Sequence, residues 1–171
     1  LFHYIDDANG YDDNPVLVYY EPYNDFYPEK QVQLLQLWDE LGIPHQKSKQ
    51  VYGPVLDIVG LRVDATSMTI TMSAERREEL KKGIKTFLAA NSRRRPLVEW
   101  QRMAGWMQWA LNAYPLLRPA VTPLYHKTAG KTYRKAPVII NREVRHALQW
   151  FMERLDLAEG VSILDAEEWL P

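Results

Sequence analysis

The sequence predicts an α+β fold, with antiparallel strands first and helices after them. Three observations carry this. Short apolar, strand-like segments separated by turn residues fill much of residues 1–72. Amphipathic helical segments fill most of residues 73–171. The chain is 46% hydrophobic and 25% charged, enough apolar material for the core of one or two small globular domains.

Taken in order, Phe2–Ile5 reads as a strand and Asp6-Asp7-Ala8-Asn9-Gly10 as a turn. Val16–Tyr20 is a second strand, and Tyr23-Asn24-Asp25-Phe26-Tyr27 an aromatic loop. Pro28 suits the first position of a helix, which runs from Glu29 to Leu41. Val32, Leu35, Trp38 and Leu41 recur along it, and Gly42 stops it. Val55–Asp64 and Met68–Met72 read as two strands of a hairpin, since Met68, Ile70 and Met72 alternate with threonines.

Ser73 caps a helix that reaches about Ala90, with Leu80, Ile84, Phe87 and Leu88 on one face. Asn91-Ser92-Arg93-Arg94-Arg95 interrupts it, and Pro96 starts another helix that ends near Ala113, before Tyr114-Pro115. Leu116–Thr128 is a shorter helix broken near its prolines, and Ala129–Thr132 a loop. Asn141 caps a helix through Leu155, with Val144, Leu148, Phe151 and Leu155 facing inward, and Val161–Leu164 is a last strand.

The absence of cysteine excludes disulfides, thiolate metal sites and a cysteine nucleophile, and is compatible with the cytosol or nucleus. No apolar run is long enough to span a bilayer, so no membrane partner is expected. The four histidines lack metal-ligand spacing. The net charge of −1 conceals a split. Residues 1–72 hold 4 Lys/Arg against 11 Asp/Glu, a balance of −7, and residues 73–171 hold 17 against 11, a balance of +6. An acidic head suits cations and a basic tail suits phosphates; a chance division of solvated faces would look the same.

Two motifs carry chemistry. In Tyr4-Ile5-Asp6-Asp7, a tight turn can bring neighbouring carboxylates to one side of a cation, and Mg²⁺ commonly takes one or two protein carboxylates beside substrate phosphates. Asp pairs also occur in ordinary turns, as in Asp12-Asp13. In Gln101–Pro115, the residues Gln101, Gly105 and Trp109 fall at i, i+4 and i+8, one stripe of a helix. A mid-helix glycine costs about 1 kcal/mol against alanine, so it invites a reason. A close helix neighbour and a nucleic-acid backbone both supply one. Met103, Met107, Ala110 and Tyr114 form a separate face suited to the core.

Tyr4-Ile5-Asp6-Asp7 resembles the Y-x-D-D box of reverse transcriptases, and Gln101 to Pro115 resembles the helix of their thumb that tracks the minor groove of a primer–template duplex. The resemblance covers nearly the whole chain. It looks closest to fungal retrotransposon enzymes, of the tyrosine-recombinase (DIRS-like) kind. It implies Mg²⁺, or Mn²⁺ in its place, on Asp6 with Asp7 as companion, Tyr4 at the primer end, and deoxynucleoside triphosphates as substrates of a longer parent.

Leu41-Gly42-Ile43-Pro44 followed by Lys47 and Lys49 resembles the segment whose lysine protonates the leaving pyrophosphate. Lys49 has the better offset and Lys47 is the reserve. Leu56–Asp64 resembles the primer-grip hairpin, centred on Ile58, Val59 and Gly60, although Val59 stands where Leu or Met is usual and Asp57 is an unusual charge. Arg93, Arg94 and Arg95 would lie near phosphates.

The resemblance divides the chain into the end of a polymerase palm at 1–72, a helical thumb at 73–130 and a connection segment at 131–171. It implies part of an RNA-directed DNA polymerase, inactive alone because the fingers and another metal-binding Asp precede the box. A non-catalytic nucleic-acid-binding remnant of a transposable element is the alternative.

Overall fold

The computed structural model describes residues 2–4, 7–13, 15–89 and 93–163. The chain divides into two compact units, Leu1–Gly53 and Pro54–Pro171. In the first, β1 (Phe2–Tyr4) and β2 (Asp7–Asn9) pair antiparallel, with Tyr4 opposite Asp7. Asp7–Asn9 was expected within a turn; cross-strand pairing overrides the weak strand preference of Asp, Ala and Asn.

β3 (Leu17–Tyr20) pairs with β4 (Asp25–Pro28) through a 3-10 turn at Glu21–Tyr23. Asn24 closes the reversal at φ 49°, a left-handed conformation asparagine tolerates. The expected loop at 23–27 is therefore mostly strand, and its alternation turns Tyr27 inward beside Tyr20 while Phe26 packs edge-on to the exposed Tyr19.

Pro28 ends β4 and precedes α1 (Glu29–Leu41) as its cap. Val32 and Leu35 complete a small core with Tyr20 and Tyr27. Leu37 and Leu41 remain exposed, so the buried stripe is narrower than the apolar spacing suggests. Gly42 ends the helix at φ 68°.

The second unit opens with β5 (Val55–Ile58), β6 (Leu61–Asp64) and β7 (Thr69–Met72), a three-stranded meander. Residues 55–64 are thus two strands where periodicity suggests one, with the reversal inside the segment that resembles a primer-grip hairpin. The turn between them has Val59 at φ 51° and Gly60 at φ 82°, the two successive positive values of the turn that best matches strand twist. Val-Gly is an unusual filling for it, since a β-branched residue is strained there.

Next come α2 (Ala74–Ala89), β8 (Arg94–Pro96) and α3 (Leu97–Ala110). A 3-10 stretch (Pro115–Ala120), α4 (Thr122–Thr128), β9 (Pro137–Ile139), α5 (Arg142–Leu157) and β10 (Val161–Ser162) follow. β10 joins the meander beside β7, giving the order β10-β7-β6-β5, and β8 pairs with β9. Leu164, expected in the last strand, lies outside the described residues.

One core unites this unit. Leu80, Ile84 and Phe87 of α2, Leu97, Trp100 and Met107 of α3, and Val144, Leu148, Phe151 and Leu155 of α5 are all buried in it. Each such side chain contributes roughly 1.5–3 kcal/mol on burial. Met72 belongs to the same core, so the strands grouped by sequence with residues 1–72 share their packing with the helices. No helix among the described residues is long and apolar enough to cross a membrane.

Candidate nucleic-acid interface

α3 positions the central stripe. Met103, Ala104, Met107 and Ala110 anchor one side of the helix in the core, which turns Gln101 and Gly105 to the exposed side. A Cβ added at Gly105 would meet nothing within 4 Å. The close helix approach that a glycine notch permits occurs instead at Gly83 of α2, where a Cβ would lie 2.7 Å from Cζ3 of Trp106. At a rise of about 1.5 Å per residue, Gln101 to Trp109 spans about 12 Å.

Trp109 is half-buried and meets the Val59-Gly60 turn. A Cβ on Gly60 would sit 3.3 Å from Cη2 of Trp109 and 3.3 Å from Cγ of Arg76. Gly60 also accepts a backbone hydrogen bond from Ser73 at 3.2 Å. The hairpin tip is therefore seated at one end of the stripe, with the Val59 side chain exposed and Ile58 half-buried. Tyr114 braces the same region from within: its hydroxyl accepts from the Met72 amide at 3.1 Å and from the Arg77 guanidinium at 3.0 Å.

The other end of α3 is held by the chain that follows α4. The Leu97 and Val98 amides donate to the carbonyls of Ala136 and Arg134 at 2.9 and 3.0 Å, satisfying two donors of the first turn. Between Glu99 and Glu143 the sequence has no Asp or Glu and seven Lys or Arg. Four of these, Lys127, Lys131, Arg134 and Lys135, cluster in or near the loop that caps α3. Sequence reading singled out none of them; the acid-free interval was the available signal.

Among the three consecutive arginines, Arg95 is committed internally. Its guanidinium donates to the carbonyls of Thr86 and Phe87, at 2.7 and 3.2 Å from Nη2, and pairs with Glu99 at 3.2 Å. It stacks over the Phe87 ring with only 19% of its side chain exposed. With these contacts Arg95 caps the C-terminal end of α2, and the phosphate role expected of it would compete with them. Arg93 and Arg94 are exposed.

In the first unit, Asp6 lies outside the described residues, as do the side chains of Tyr4 and Asp7. Among the described residues no group of three His, Cys, Asp or Glu forms a cluster suited to a metal. The two candidate lysines differ in state. Lys47 donates to the Tyr23 carbonyl at 2.7 Å and pairs with Asp25 at 3.0 Å, a contact that lowers the Asp25 pKa. Lys49 is exposed; its amide donates to the Gln46 carbonyl at 3.1 Å, and its side-chain amine has no hydrogen bond or ion pair among the described residues.

Within the first unit, His45 ties the segment bearing both lysines to α1 and to the turn between β3 and β4. Its Nε2 donates to Asp39 at 2.9 Å, and its Nδ1 accepts from the Tyr23 hydroxyl, an arrangement that a neutral ring satisfies. The Tyr20 hydroxyl donates to the other oxygen of Asp39. These donors hold the Asp39 carboxyl below its ordinary range, Tyr20 first and His45 second, while burial pushes the Tyr20 and Tyr23 phenols up.

No protein-family model matches the chain, and no curated protein matches it by sequence. Among solved structures, the foamy viral protease-reverse transcriptase dRH in complex with double-stranded DNA superposes with a TM-score of 0.58 at 18% identity. The match covers 79% of this chain and 22% of that one, so the chain spans under a quarter of the length of that protein. At this identity the likeness is one of fold, and the chain has an α+β, partial polymerase-like fold similar to part of a reverse transcriptase.

Proposed function

We propose that this chain is the duplex-holding part of a reverse transcriptase, carrying the end of its catalytic palm and its thumb. The observation that carries the reading is the solvent-facing Gln101–Gly105 stripe that ends at Trp109 against the Val59-Gly60 turn, in a fold similar to part of a reverse transcriptase. A bare backbone at Gly105 admits a sugar–phosphate strand closely, and Gln101 can hydrogen-bond sugar or base edges of the minor groove. The acid-free interval from Glu99 to Glu143 adds the cations that a primer–template duplex requires.

In the longer parent, the reaction is addition of a deoxynucleotide to a primer 3′-hydroxyl. Asp6 and Asp7 offer the hard oxygen donors that Mg²⁺ takes one or two at a time, and Mn²⁺ accepts the same set. The metal supplies charge stabilisation at the transferring phosphoryl group. Tyr4 would meet the primer end and Lys49, whose amine has no partner among the described residues, would hand a proton to the leaving pyrophosphate. An origin in a retrotransposon, of the fungal DIRS-like kind, belongs to the same proposal.

Anisotropy titration of a labelled RNA/DNA hybrid tests the binding half. Gln101→Ala, at an exposed position, should weaken binding several-fold without altering thermal unfolding; unchanged affinity rejects the stripe. In a polypeptide extended to include the preceding palm and fingers, Asp6→Asn should abolish primer extension, and near-normal synthesis rejects the metal role.

A further inference from the structure

We infer that Arg76 is a phosphate-contacting residue at the hairpin tip, a role resting on the duplex-holding reading above. The Val59-Gly60 turn brings no charge of its own. Arg76, in the first turn of α2, brings its aliphatic stem against Gly60, where it and the Trp109 ring both flank the position a Cβ would take. Glycine is what makes this possible, because a Cβ there would press on Arg76 Cγ and on the Trp109 ring, both 3.3 Å away. The stem is thus located by packing while 54% of the side chain is exposed.

Of the neighbouring cations, Arg77 is turned inward to Tyr114, and Arg62 of β6 makes an exposed pair with Asp57 at 3.0 Å but has no contact with the glycine of the turn like that of Arg76. Arg76 holds Glu79 through Nη1 alone, at 2.8 Å, in a solvent-exposed pair three residues apart. Such pairs are worth a few tenths of a kcal/mol, and the guanidinium retains further donors. A phosphate can therefore share Arg76 with Glu79 or replace it.

Val59 completes the argument. Its left-handed conformation is costly for a β-branched residue, yet the residue is left 40% exposed. Asn or Asp would relieve the strain and is the usual choice. An aspartate would add a carboxylate one residue from Gly60, on which Arg76 packs, whereas valine leaves the turn uncharged. An uncharged turn with Arg76 packed on its glycine suits one nucleic-acid strand, with sugar on Val59 and its phosphate on Arg76.

The test is the salt dependence of hybrid-duplex binding by the full chain. Arg76→Gln retains Cβ and Cγ, so the packing on Gly60 persists while the charge is lost. The slope of log affinity against log salt should become shallower by about one phosphate contact, with Arg76→Lys restoring it. Glu79→Gln should tighten binding, and only when Arg76 is present. An unchanged slope in Arg76→Gln overturns the assignment, as does an affinity loss at constant slope, which would mark a packing role. Absence of duplex binding by the unaltered chain instead overturns the duplex-holding reading itself.

Discussion

Two glycines in adjoining helices have opposite duties. At Gly83 the missing Cβ makes room for the Trp106 ring, 2.7 Å from where that atom would be. Gly83→Ala forces the indole or the helices apart and should destabilise the second unit by about 1–3 kcal/mol. At Gly105 nothing lies within 4 Å, so alanine meets only solvent and should stabilise the helix by about 1 kcal/mol. Urea unfolding of the two variants checks the signs. If Gly105 serves close approach of a duplex, Gly105→Ala will combine greater stability with weaker binding, a combination that a packing notch cannot produce.

Among the elements, the loop that carries Lys47 and Lys49 depends on a carboxylate whose proton affinity is altered by folding. Asp39 accepts from Tyr20 and His45, and its pKa is lowered. A depressed folded-state pKa contributes stability that is fully present above the unfolded carboxylate value, about 3.9, and is lost as pH falls through the lower folded value. Amide exchange in α1 and the 42–50 segment should therefore accelerate as pH drops below about 4, after correction for intrinsic exchange. Asp39→Asn should blunt this acid limb; an unaltered limb would assign it to other carboxylates such as Asp25, also lowered by its Lys47 contact.

The same scale shows what sequence could and could not convey. α5 was legible because its inward residues recur on one helical face and Asn141 caps it, accepting from the Val144 amide at 3.0 Å. The reversal at Val59-Gly60 is implied by the resemblance to the primer-grip hairpin but not by turn chemistry, because strand pairing and packing against Trp109 and Arg76 hold so poor a turn former there. β4 was hidden because its partner strand, not its own composition, supplies the alternation. The stripe on α3 could be read from spacing, but spacing could not tell Gly83 from Gly105. The commitment of Arg95 to the end of α2 depends on carbonyls that no charge count reveals.

For the whole molecule, the two units divide the charge as well as the contacts. Residues 1–53 hold three Lys against nine Asp/Glu, a balance of −6, and residues 54–171 hold 18 Lys/Arg against 13 Asp/Glu, a balance of +5. Each also has its own core, the small one around Tyr20 and Leu35 and the large one around Trp100 and Phe151. The turn, Trp109, the stripe and the acid-free interval all lie in the second. A polypeptide of residues 54–171 should therefore unfold cooperatively and bind a hybrid duplex at least as tightly as the full chain. Removal of six net negative charges lessens repulsion of phosphate, and the gain should shrink as salt screens it. Calorimetry and titrations at two salt concentrations check this. A folded 54–171 piece with no duplex affinity would mean that the stripe is insufficient and that residues of the first unit take part in holding the strand.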